Sequence, residues 1–194
     1  MNLEPVTLRG TRVQLVPLTR GHLDALCDAG LDPRLWELAT DPVRTREEMA
    51  AYCDESLRGQ EEGTVLPFVT QETGEGRIVG STRLANYVEA HRRVEIGWTW
   101  IAPAWQRTGV NTEAKYLMLR HAFEVIGCNR VEFKTDALNA RSRTAIARLG
   151  AHEEGTLRRH MVTASGRLRD SVYFSIIREE WEGIRTRFER ELLR

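Results

Sequence analysis

One connection decides the fold of this 194-residue chain, and it reads Ile101-Ala-Pro-Ala-Trp-Gln106-Arg107-Thr108-Gly109-Val110-Asn111-Thr112. An apolar run ends at Ile101 and residues at helical spacing follow, which predicts a strand-to-helix turn. Gly109 lets the backbone approach a ligand without a Cβ in the way. The first amides of the following helix, at its positive end, suit phosphate oxygens, and Arg107 adds a cation. A single glycine also marks many ordinary tight turns, so the turn alone does not identify a ligand.

The segments on either side of this turn predict a mixed sheet. Three strand-like runs precede it, Thr64–Gln71, Arg77–Tyr87 and Arg92–Ile101, and their short connections predict antiparallel neighbours. The helix after the turn is predicted to stop at Gly127, before a strand at Val131–Thr135. A strand, helix and strand in this order form a crossover, which pairs its strands in parallel.

The remaining elements complete an α/β fold of the α+β kind. They are a first strand at Thr11–Leu18, a short helix capped by Thr19, a helix from Thr45 to about Arg58, a helix at Asn139–Leu149, strands near Glu154–Met161 and Arg169–Ile177, and a charged helix at Glu179–Leu193. The predicted architecture is a twisted, mostly antiparallel sheet of about seven strands, flanked by helices, with one parallel pair beside the turn.

Composition excludes several classes of partner. Lys plus Arg and Asp plus Glu number 28 each, and a neutral chain lacks the basic surplus of a non-specific nucleic-acid binder. The three cysteines have no CxxC spacing, so neither a disulfide framework nor a metal site is predicted. Met1–Arg9 lacks a signal-peptide run, and no segment approaches the roughly 18 apolar residues of a membrane span. We therefore expect a cytoplasmic protein with no membrane or nucleic-acid partner.

Several motifs in order resemble one family. Gln106-x-x-Gly109-x-Asn111 is similar to the Gln/Arg-x-x-Gly-x-Gly/Ala acetyl-coenzyme A (acetyl-CoA) signature of the GNAT superfamily. Glu95 lies eleven residues before Gln106, as a strand glutamate does in many GNAT enzymes. Downstream, Asn139-Ala-Arg-Ser142 followed by Leu149-Gly150-Ala151 resembles the Asn-x-x-Ser … Leu-Gly-Phe pattern of the next helix.

The two ends of the chain resemble one branch of that superfamily. Leu8–Leu18 and Asp170–Trp181 are similar to the RimJ/RimL branch, which acetylates protein N-terminal amines and has many members of unknown substrate. The resemblance implies a GNAT domain over residues 8–181, with 182–194 as the end of a C-terminal helix that packs on the domain or extends from it. It also implies acetyl-CoA as cosubstrate, an amine acceptor and a homodimer.

Two positions depart from the family pattern. Asn111 stands where the pyrophosphate signature has Gly or Ala. Ile146 stands four residues before Gly150, where many GNAT enzymes have a tyrosine that acts as general acid. Since Ile146 carries no proton to give, any protonation of the leaving thiol must come from elsewhere.

The chemistry of amine acetylation needs a base, because an amine is largely protonated at neutral pH. Glu95 is the candidate base, directly or through water, since it lies mid-strand between apolar neighbours and resembles the glutamate with that role in some GNAT enzymes. Strand alternation predicts Glu95, Gly97 and Thr99 on one face, and Ile96, Trp98 and Trp100 on the other. The alternative is a structural glutamate paired with Arg92, Arg93 or Arg83, because ion pairs also place carboxylates in such settings.

The resemblance implies a set of coenzyme contacts. Ser142 is the second candidate catalytic residue and is expected to contact the coenzyme thiol; its structural alternative is a hydroxyl bonded to the backbone of its own helix. Asn139 precedes Ser142 by three residues on the same helix, and its structural alternative is a helix cap. A backbone amide near Trp100 or Ile101 is predicted to donate to the oxyanion. The full predicted coenzyme set is Trp100, Ile101, Gln106, Arg107, Thr108, Gly109, Val110, Asn111, Asn139 and Ser142.

The acceptor is the least specified part of the prediction. The surfaces that contact the acceptor are expected to come from the loop 31–44 with Trp36, from the two early helices and from Val162–Arg167. One of Trp98 and Trp100 is expected to pack in the core. Three functions stay open: an N-acetyltransferase acting on a protein N-terminal α-amine or a small amine, an acetyltransferase for antibiotics or polyamines, and a GNAT-fold module that binds acyl-CoA without turnover.

Overall fold

One mixed sheet organises residues 3–193, which is the part of the chain that the computed structural model describes. Its eight strands lie in the order β1-β2-β3-β4-β5-β6-β8-β7. Neighbours are antiparallel except β5 and β6, which run parallel as the crossover predicts. The strands are β1 Leu8–Arg9, β2 Val13–Pro17, β3 Leu66–Glu72, β4 Ile78–Val88, β5 Arg93–Ile101, β6 Arg130–Asp136, β7 His152–Val162 and β8 Leu168–Ile177. The additional strand is the two-residue β1, which is too short to show alternation.

The helices begin and end largely at the predicted signals. Within residues 3–193 they are α1 Leu23–Gly30, α2 Arg46–Glu61, α3 Val110–Arg120, α4 Ala140–Arg148 and α5 Arg178–Arg187. Thr45 and Glu48 form a capping box at the start of α2. Helix α3 continues into a π-helical turn at His121–Ile126 and ends at Gly127, where φ is +76°. Helix α5 likewise continues into a π-helical turn at Phe188–Leu192.

Two layers of helix cover the sheet. One core lies between the sheet and α3, α4 and α5, with members such as Leu117, Leu149 and Phe188. A smaller core lies on the opposite face, where α1, α2 and the loop 31–44 pack around Trp36 and Trp100. The central strands are therefore buried on both sides, as expected for a layered α/β domain, whereas the edge strand β7 is exposed along almost its whole length.

A buried carboxylate fastens α3 to the far edge of the sheet. Glu113 accepts hydrogen bonds from the amides of Thr11, Arg12 and Val13 at 3.0, 2.7 and 2.8 Å, and from the Thr11 hydroxyl at 2.8 Å. Burial acts to raise the pKa of Glu113, but these hydrogen bonds outweigh it and hold the pKa below its ordinary value. The first turn of α3 is therefore locked against the connection between β1 and β2.

The C-terminal helix packs on the domain. Trp181 and Phe188 are buried in the core, and the Trp181 indole donates to Glu124 at 2.8 Å. Within the described residues the end of the chain thus lies against the fold. The domain limits 8–181 and 182–194 stay a prediction, and Met1, Asn2 and Arg194 lie outside the described residues.

The free thiols are mostly buried. Cys53 and Cys128 are buried and Cys27 is half-buried, and burial raises the pKa of Cys53 and of Cys128 to about 11. Among residues 3–193 no group of three potential ligands is arranged to hold a metal ion. No helix in that range has both the length and the hydropathy needed to cross a membrane.

Replacement of Glu113 tests how α3 is held. Glu113→Ala leaves the amides of Thr11, Arg12 and the buried Val13 without their acceptor, so we expect the free energy of unfolding to fall by about 3 kcal/mol at pH 7. Because the folded-state pKa is lowered, the wild-type contribution is present above the unfolded pKa of about 4.3 and is lost as pH falls through the folded pKa. Urea denaturation between pH 7 and pH 3 measures both effects, with the exposed Glu61→Ala as control. Equal losses in the two variants would contradict the anchoring role.

Candidate active site

The sheet forks between β5 and β6. Their parallel pairing covers only Arg93, Val94 and Glu95, opposite Arg130, Val131 and Glu132. Beyond Glu95, residues 96–101 of β5 keep their pairing with β4 but have no partner strand on the β6 side. An unpaired strand edge of this kind can hydrogen-bond an extended ligand.

A β-bulge reverses the predicted faces of β5. Between the pairs Arg83–Gly97 and Ser81–Trp100, the single β4 residue Thr82 opposes both Trp98 and Thr99. Trp98 has a φ of +49°. Thr99 therefore lies on the α3 side, where Lys115 donates to its hydroxyl.

Simple alternation was consequently wrong beyond Gly97. Ile96 shares its side of the sheet with Thr99, not with Trp98 and Trp100, because it packs in the core under α3 while Trp100 packs on Trp36. The prediction that one tryptophan is in the core is confirmed, since Trp100 is 6% exposed and Trp98 is 39% exposed.

The backbone of β5 presents Ile101, and not Trp100, to the fork. The Ala102 amide donates to the Val79 carbonyl in β4 at 2.8 Å. Because alternate residues of a strand direct their backbone groups to opposite sides, Trp100 also faces β4 and Ile101 faces the fork. The Ile101 carbonyl accepts from Gln106 Nε2 at 3.0 Å, and the Ile101 amide is available as a donor at this edge.

The helix α3 begins at the mouth of the fork without a cap. Gly109 has a φ of +86°. The first amides of a helix have no acceptor within the helix, and here no side chain caps them. A Cβ at Gly109 would lie 2.7 Å from Nη1 of Arg12. The side-chain oxygen of Asn111 is buried without a hydrogen-bond donor among the described residues. The uncapped amides suit the phosphate oxygens of a ligand. The Asn111 oxygen suits an N–H group of the same ligand.

Guanidinium groups surround this helix start. Arg12 reaches Gly109 because Glu113 holds the connection that carries it. Arg148 of α4 donates to Thr112 at 2.6 Å, and Arg141 donates to Gln106 at 3.3 Å. Sequence reasoning identified only Arg107, since no local pattern indicates that Arg12 and Arg148 meet the turn.

Glu95 lies at the vertex of the fork. It is 4% exposed, and its Oε2 accepts from Asn86 Nδ2 at 2.9 Å and lies 3.6 Å from Lys134 Nζ. The predicted structural partners are not used: the salt-bridge partner of Arg93 is Glu132, and that of Arg83 is Glu55. Oε1 is directed along the strand, because a Cβ built on Gly97 would be 3.2 Å from it. One oxygen is therefore held, and the other faces the start of the fork.

The predicted pair on α4 has divided roles. Asn139 is the N-cap of α4, and its Oδ1 accepts from the Ser142 amide at 3.0 Å. Ser142 itself is half-buried, and its hydroxyl makes no hydrogen bond within residues 3–193. Ile146 packs against the core. The helix-cap interpretation thus holds for Asn139, whereas the Ser142 hydroxyl is not used by its own helix.

The predicted acceptor surfaces meet on the face opposite α3. The Ala164 amide donates to the Thr40 carbonyl at 2.9 Å, which joins the loop 31–44 to the turn between β7 and β8. A pocket of about 170 Å³ between them is lined by Trp36, Glu37 and Arg44 from the loop and by Ser165 and Arg167 from the turn, among others. It carries both signs of charge. On the same face, the Arg83 guanidinium stacks between the rings of Tyr52 and Trp98.

Comparison with known proteins identifies the class to which this geometry belongs. Residues 12–152 match the family model described as an acetyltransferase (GNAT) domain. The match covers well over half of the chain, and the chain therefore belongs to the GNAT acetyltransferase family.

Individual relatives agree with this assignment. A Bacillus subtilis protein provisionally named as the ribosomal N-acetyltransferase YdaF is 35% identical over 109 residues, which cover 56% of this chain and only 58% of YdaF. A GCN5-related N-acetyltransferase from Brucella melitensis superposes with a TM-score of 0.89 at 29% identity, over 97% of this chain and 86% of the other. Mycobacterium smegmatis RimJ, solved in complex with CoA-disulfide, gives 0.84 at 26% identity, over 97% and 95%. The resemblance to the RimJ/RimL branch is confirmed.

Substitution of Gly109 tests the strain at the turn. Gly109→Ala places a methyl group against Arg12 at a positive φ, so we expect the free energy of unfolding to fall by about 1–3 kcal/mol. Gly63→Ala is the matched control, because Gly63 has a φ of +72° but no atom within 4 Å of an added Cβ. Urea denaturation should show a larger loss for Gly109→Ala. The same loss at both positions would mean that Arg12 does not constrain the turn.

Proposed function

We propose that this protein transfers the acetyl group of acetyl-CoA to a primary amine, by direct attack of the amine on the thioester. The observation that carries the proposal is the fork between β5 and β6 with the uncapped start of α3 at its mouth. Membership of the GNAT family supports it, and so does the RimJ relative that was solved with CoA-disulfide. When bound, acetyl-CoA supplies an acyl carbon activated as a thioester.

The residues at the helix start suit the coenzyme diphosphate. We assign it to the amides that follow Gly109, with Arg107, Thr108 and Arg12 adding charge and hydrogen bonds. The buried Asn111 oxygen would accept from a ligand N–H or a water. The Ile101 amide would donate along the fork edge, and Gln106 acts by bracing the turn through Ile101 and Arg141.

Glu95 is assigned as the base that takes the proton from the acceptor amine. Its Oε2 is held by Asn86 and Lys134, while Oε1 is directed toward the start of the fork. A carboxylate with one oxygen fixed is oriented to take a proton with the other, directly or through water. Ser142 is assigned to the leaving thiol, because its hydroxyl is not used within its own helix.

Direct transfer is favoured over a covalent acyl-enzyme. Burial raises the pKa of Cys53 and of Cys128 to about 11, and burial also raises the pKa of Cys27. A nucleophilic cysteine needs the opposite shift, because the thiolate is the reactive form. None of the three thiols is therefore suited to carry the acetyl group.

The acceptor is assigned to the pocket between the loop 31–44 and the turn at 163–167. Its mixture of Glu37, Arg44 and Arg167 suits a polar acceptor, either a protein N-terminal α-amine or a small amine. Ile146, in place of the family tyrosine, favours a competing function: an acyl-CoA-binding module without turnover. Release of thiol distinguishes the two.

Ligand binding and turnover test the proposal together. Acetyl-CoA at a hundred times its dissociation constant should stabilise the fold by roughly 2.7 kcal/mol, and S-acetylpantetheine, which lacks the diphosphate, should stabilise it far less at the same concentration. Thiol release is then measured with free-amine peptides and with polyamines. Equal stabilisation by both thioesters would contradict the diphosphate site. Binding without thiol release across the whole panel would favour the binding module.

The role of Glu95 has its own test. Glu95→Gln keeps the size of the side chain but removes the base, so kcat/KM should fall by about 10²–10⁴-fold. Calorimetry should give an unchanged Kd for acetyl-CoA. Glu132→Gln is the control, because Glu132 is paired with Glu95 across the strands but is bound by Arg93 and Arg130. A wild-type rate in Glu95→Gln, or an equal loss in Glu132→Gln, would show that Glu95 is not the base.

A further inference from the structure

An amine is buried beside the fork without a carboxylate partner. Lys115 is 6% exposed and lies one helical turn beyond Asn111 on α3. Its Nζ donates to the hydroxyl of Thr82 in β4, at 3.0 Å, and to the hydroxyl of Thr99 in β5. Within residues 3–193 Nζ makes no ion pair with an Asp or Glu, and no charged group contributes to the pKa of Lys115. The Thr82 hydroxyl also lies 3.6 Å from the sulfur of Met118.

Such an amine is costly to keep in a core. Burial lowers the pKa of Lys115 to about 7, and no charged neighbour contributes to this shift. An apolar side chain would fill the same space without that cost. The buried amine and the two hydroxyls that it contacts therefore form a polar cluster beside the fork that can exchange a proton near neutral pH.

Lysine is also rare in this chain. Of the 28 basic residues 26 are arginine, and the two lysines are Lys115 and Lys134. Both lie at the fork, because Lys134 is 3.6 Å from the Glu95 carboxylate. Arginine stays protonated in proteins, whereas a buried lysine changes its protonation readily. The chain thus has both of its lysine amines at the site and arginine at the other 26 basic positions.

Thr99 connects Lys115 to the fork. Its side chain is exposed and lies on the part of β5 that has no β6 partner. Its hydroxyl is 2.7 Å from that of Thr82, which is buried. The Trp98 bulge turns Thr99 toward α3, so the contact between Lys115 and the fork depends on the bulge.

We propose that Thr99 and Lys115 form a proton relay to the leaving sulfur of the acyl donor. The proposal rests on the proposed function. As the acceptor nitrogen bonds to the acetyl carbon and the carbon–sulfur bond breaks, the Thr99 hydroxyl gives its proton to the sulfur. The Lys115 ammonium restores the Thr99 proton and becomes neutral, and solvent recharges it through Thr99. The proton lost by the acceptor amine goes to Glu95.

The relay supplies what Ile146 lacks. Thr99 is the group that touches the reacting sulfur, and Lys115 is a positioning residue that acts through Thr99. Ser142, on the α4 side, would then hold the sulfur while the proton arrives from the β5 side.

The protonation of Lys115 can be measured without any ligand. Lysine labelled with ¹³C at Cε gives two side-chain signals, and the Lys115→Met spectrum assigns them. We expect the Lys115 signal to titrate with a pKa of about 7. A pKa near the ordinary value of about 10.4 would overturn the relay.

Stability provides a second readout that does not depend on activity. The amine titrates at about 7 in the folded state and at about 10.4 in the unfolded state, so the unfolded state binds more protons between these values. The wild type should therefore gain stability relative to Lys115→Met as pH rises from 7 to 10. A constant difference in unfolding midpoint over this range would contradict the buried amine.

Kinetics test the relay itself. Lys115→Met and Thr99→Val should each lower kcat by about 10²-fold with an unchanged KM for acetyl-CoA, and the double variant should be no slower, because the two groups act in one chain. Thr99→Ser should recover most of the rate lost in Thr99→Val. At saturating acceptor, the wild-type kcat should fall as pH rises above the measured Lys115 pKa, and Lys115→Met should lack that limb.

The outcomes separate the two proposals. Wild-type turnover with an unchanged kcat in Lys115→Met rejects the relay and leaves the acetyltransferase function in place. Independent, multiplicative losses in the double variant also reject the relay. Absence of wild-type turnover with every amine rejects the proposed function, and the relay with it.

Discussion

The candidate site depends on one constraint: β5 and β6 pair over only three residues before they separate. The separation is tolerated because β5 keeps its hydrogen bonds to β4, and β6 keeps its bonds to β8 along its whole length. What remains is one unpaired edge of β5 that ends where α3 begins. A ligand placed there meets a strand edge and an uncapped helix start in succession, with Glu95 at the vertex.

Helix α3 carries two buried ionisable groups with opposite kinds of environment. Glu113 accepts four hydrogen bonds, and it thereby holds Arg12 beside Gly109. Lys115, two residues later, has only two hydroxyl acceptors and no counter-charge among the described residues. Hydrogen bonds to the Glu113 carboxylate outweigh its burial and favour its charged form, whereas burial of Lys115 disfavours its charged form. The same helix therefore supplies an anchor and a labile proton.

Local signals in the sequence predicted the elements well. The capping box at Thr45, the stop at Gly127 and the parallel crossover are confirmed, because each depends on residues a few positions apart. The faces of β5 were mispredicted, since a bulge at Trp98 inserts one residue that alternation does not anticipate. The helical spacing of Ala114, Leu117, Met118, Ala122 and Val125 predicts one apolar face for the helix after the turn. Val125 is nevertheless 67% exposed, because it lies in the π-helical turn, where the period changes.

The sequence by itself determined the order of the elements, the strand-to-helix turn and the resemblance to GNAT enzymes, because these are encoded in short windows and ordered motifs. Only the tertiary structure decided that Glu95 pairs with Lys134 and Asn86, that Arg12 reaches the turn, and that Lys115 is buried behind Thr99. These contacts join distant parts of the chain; Thr11 and Glu113 are 102 residues apart. Which strand edge stays unpaired and which charge is buried follow from the packing of whole elements, and no local pattern specifies that packing.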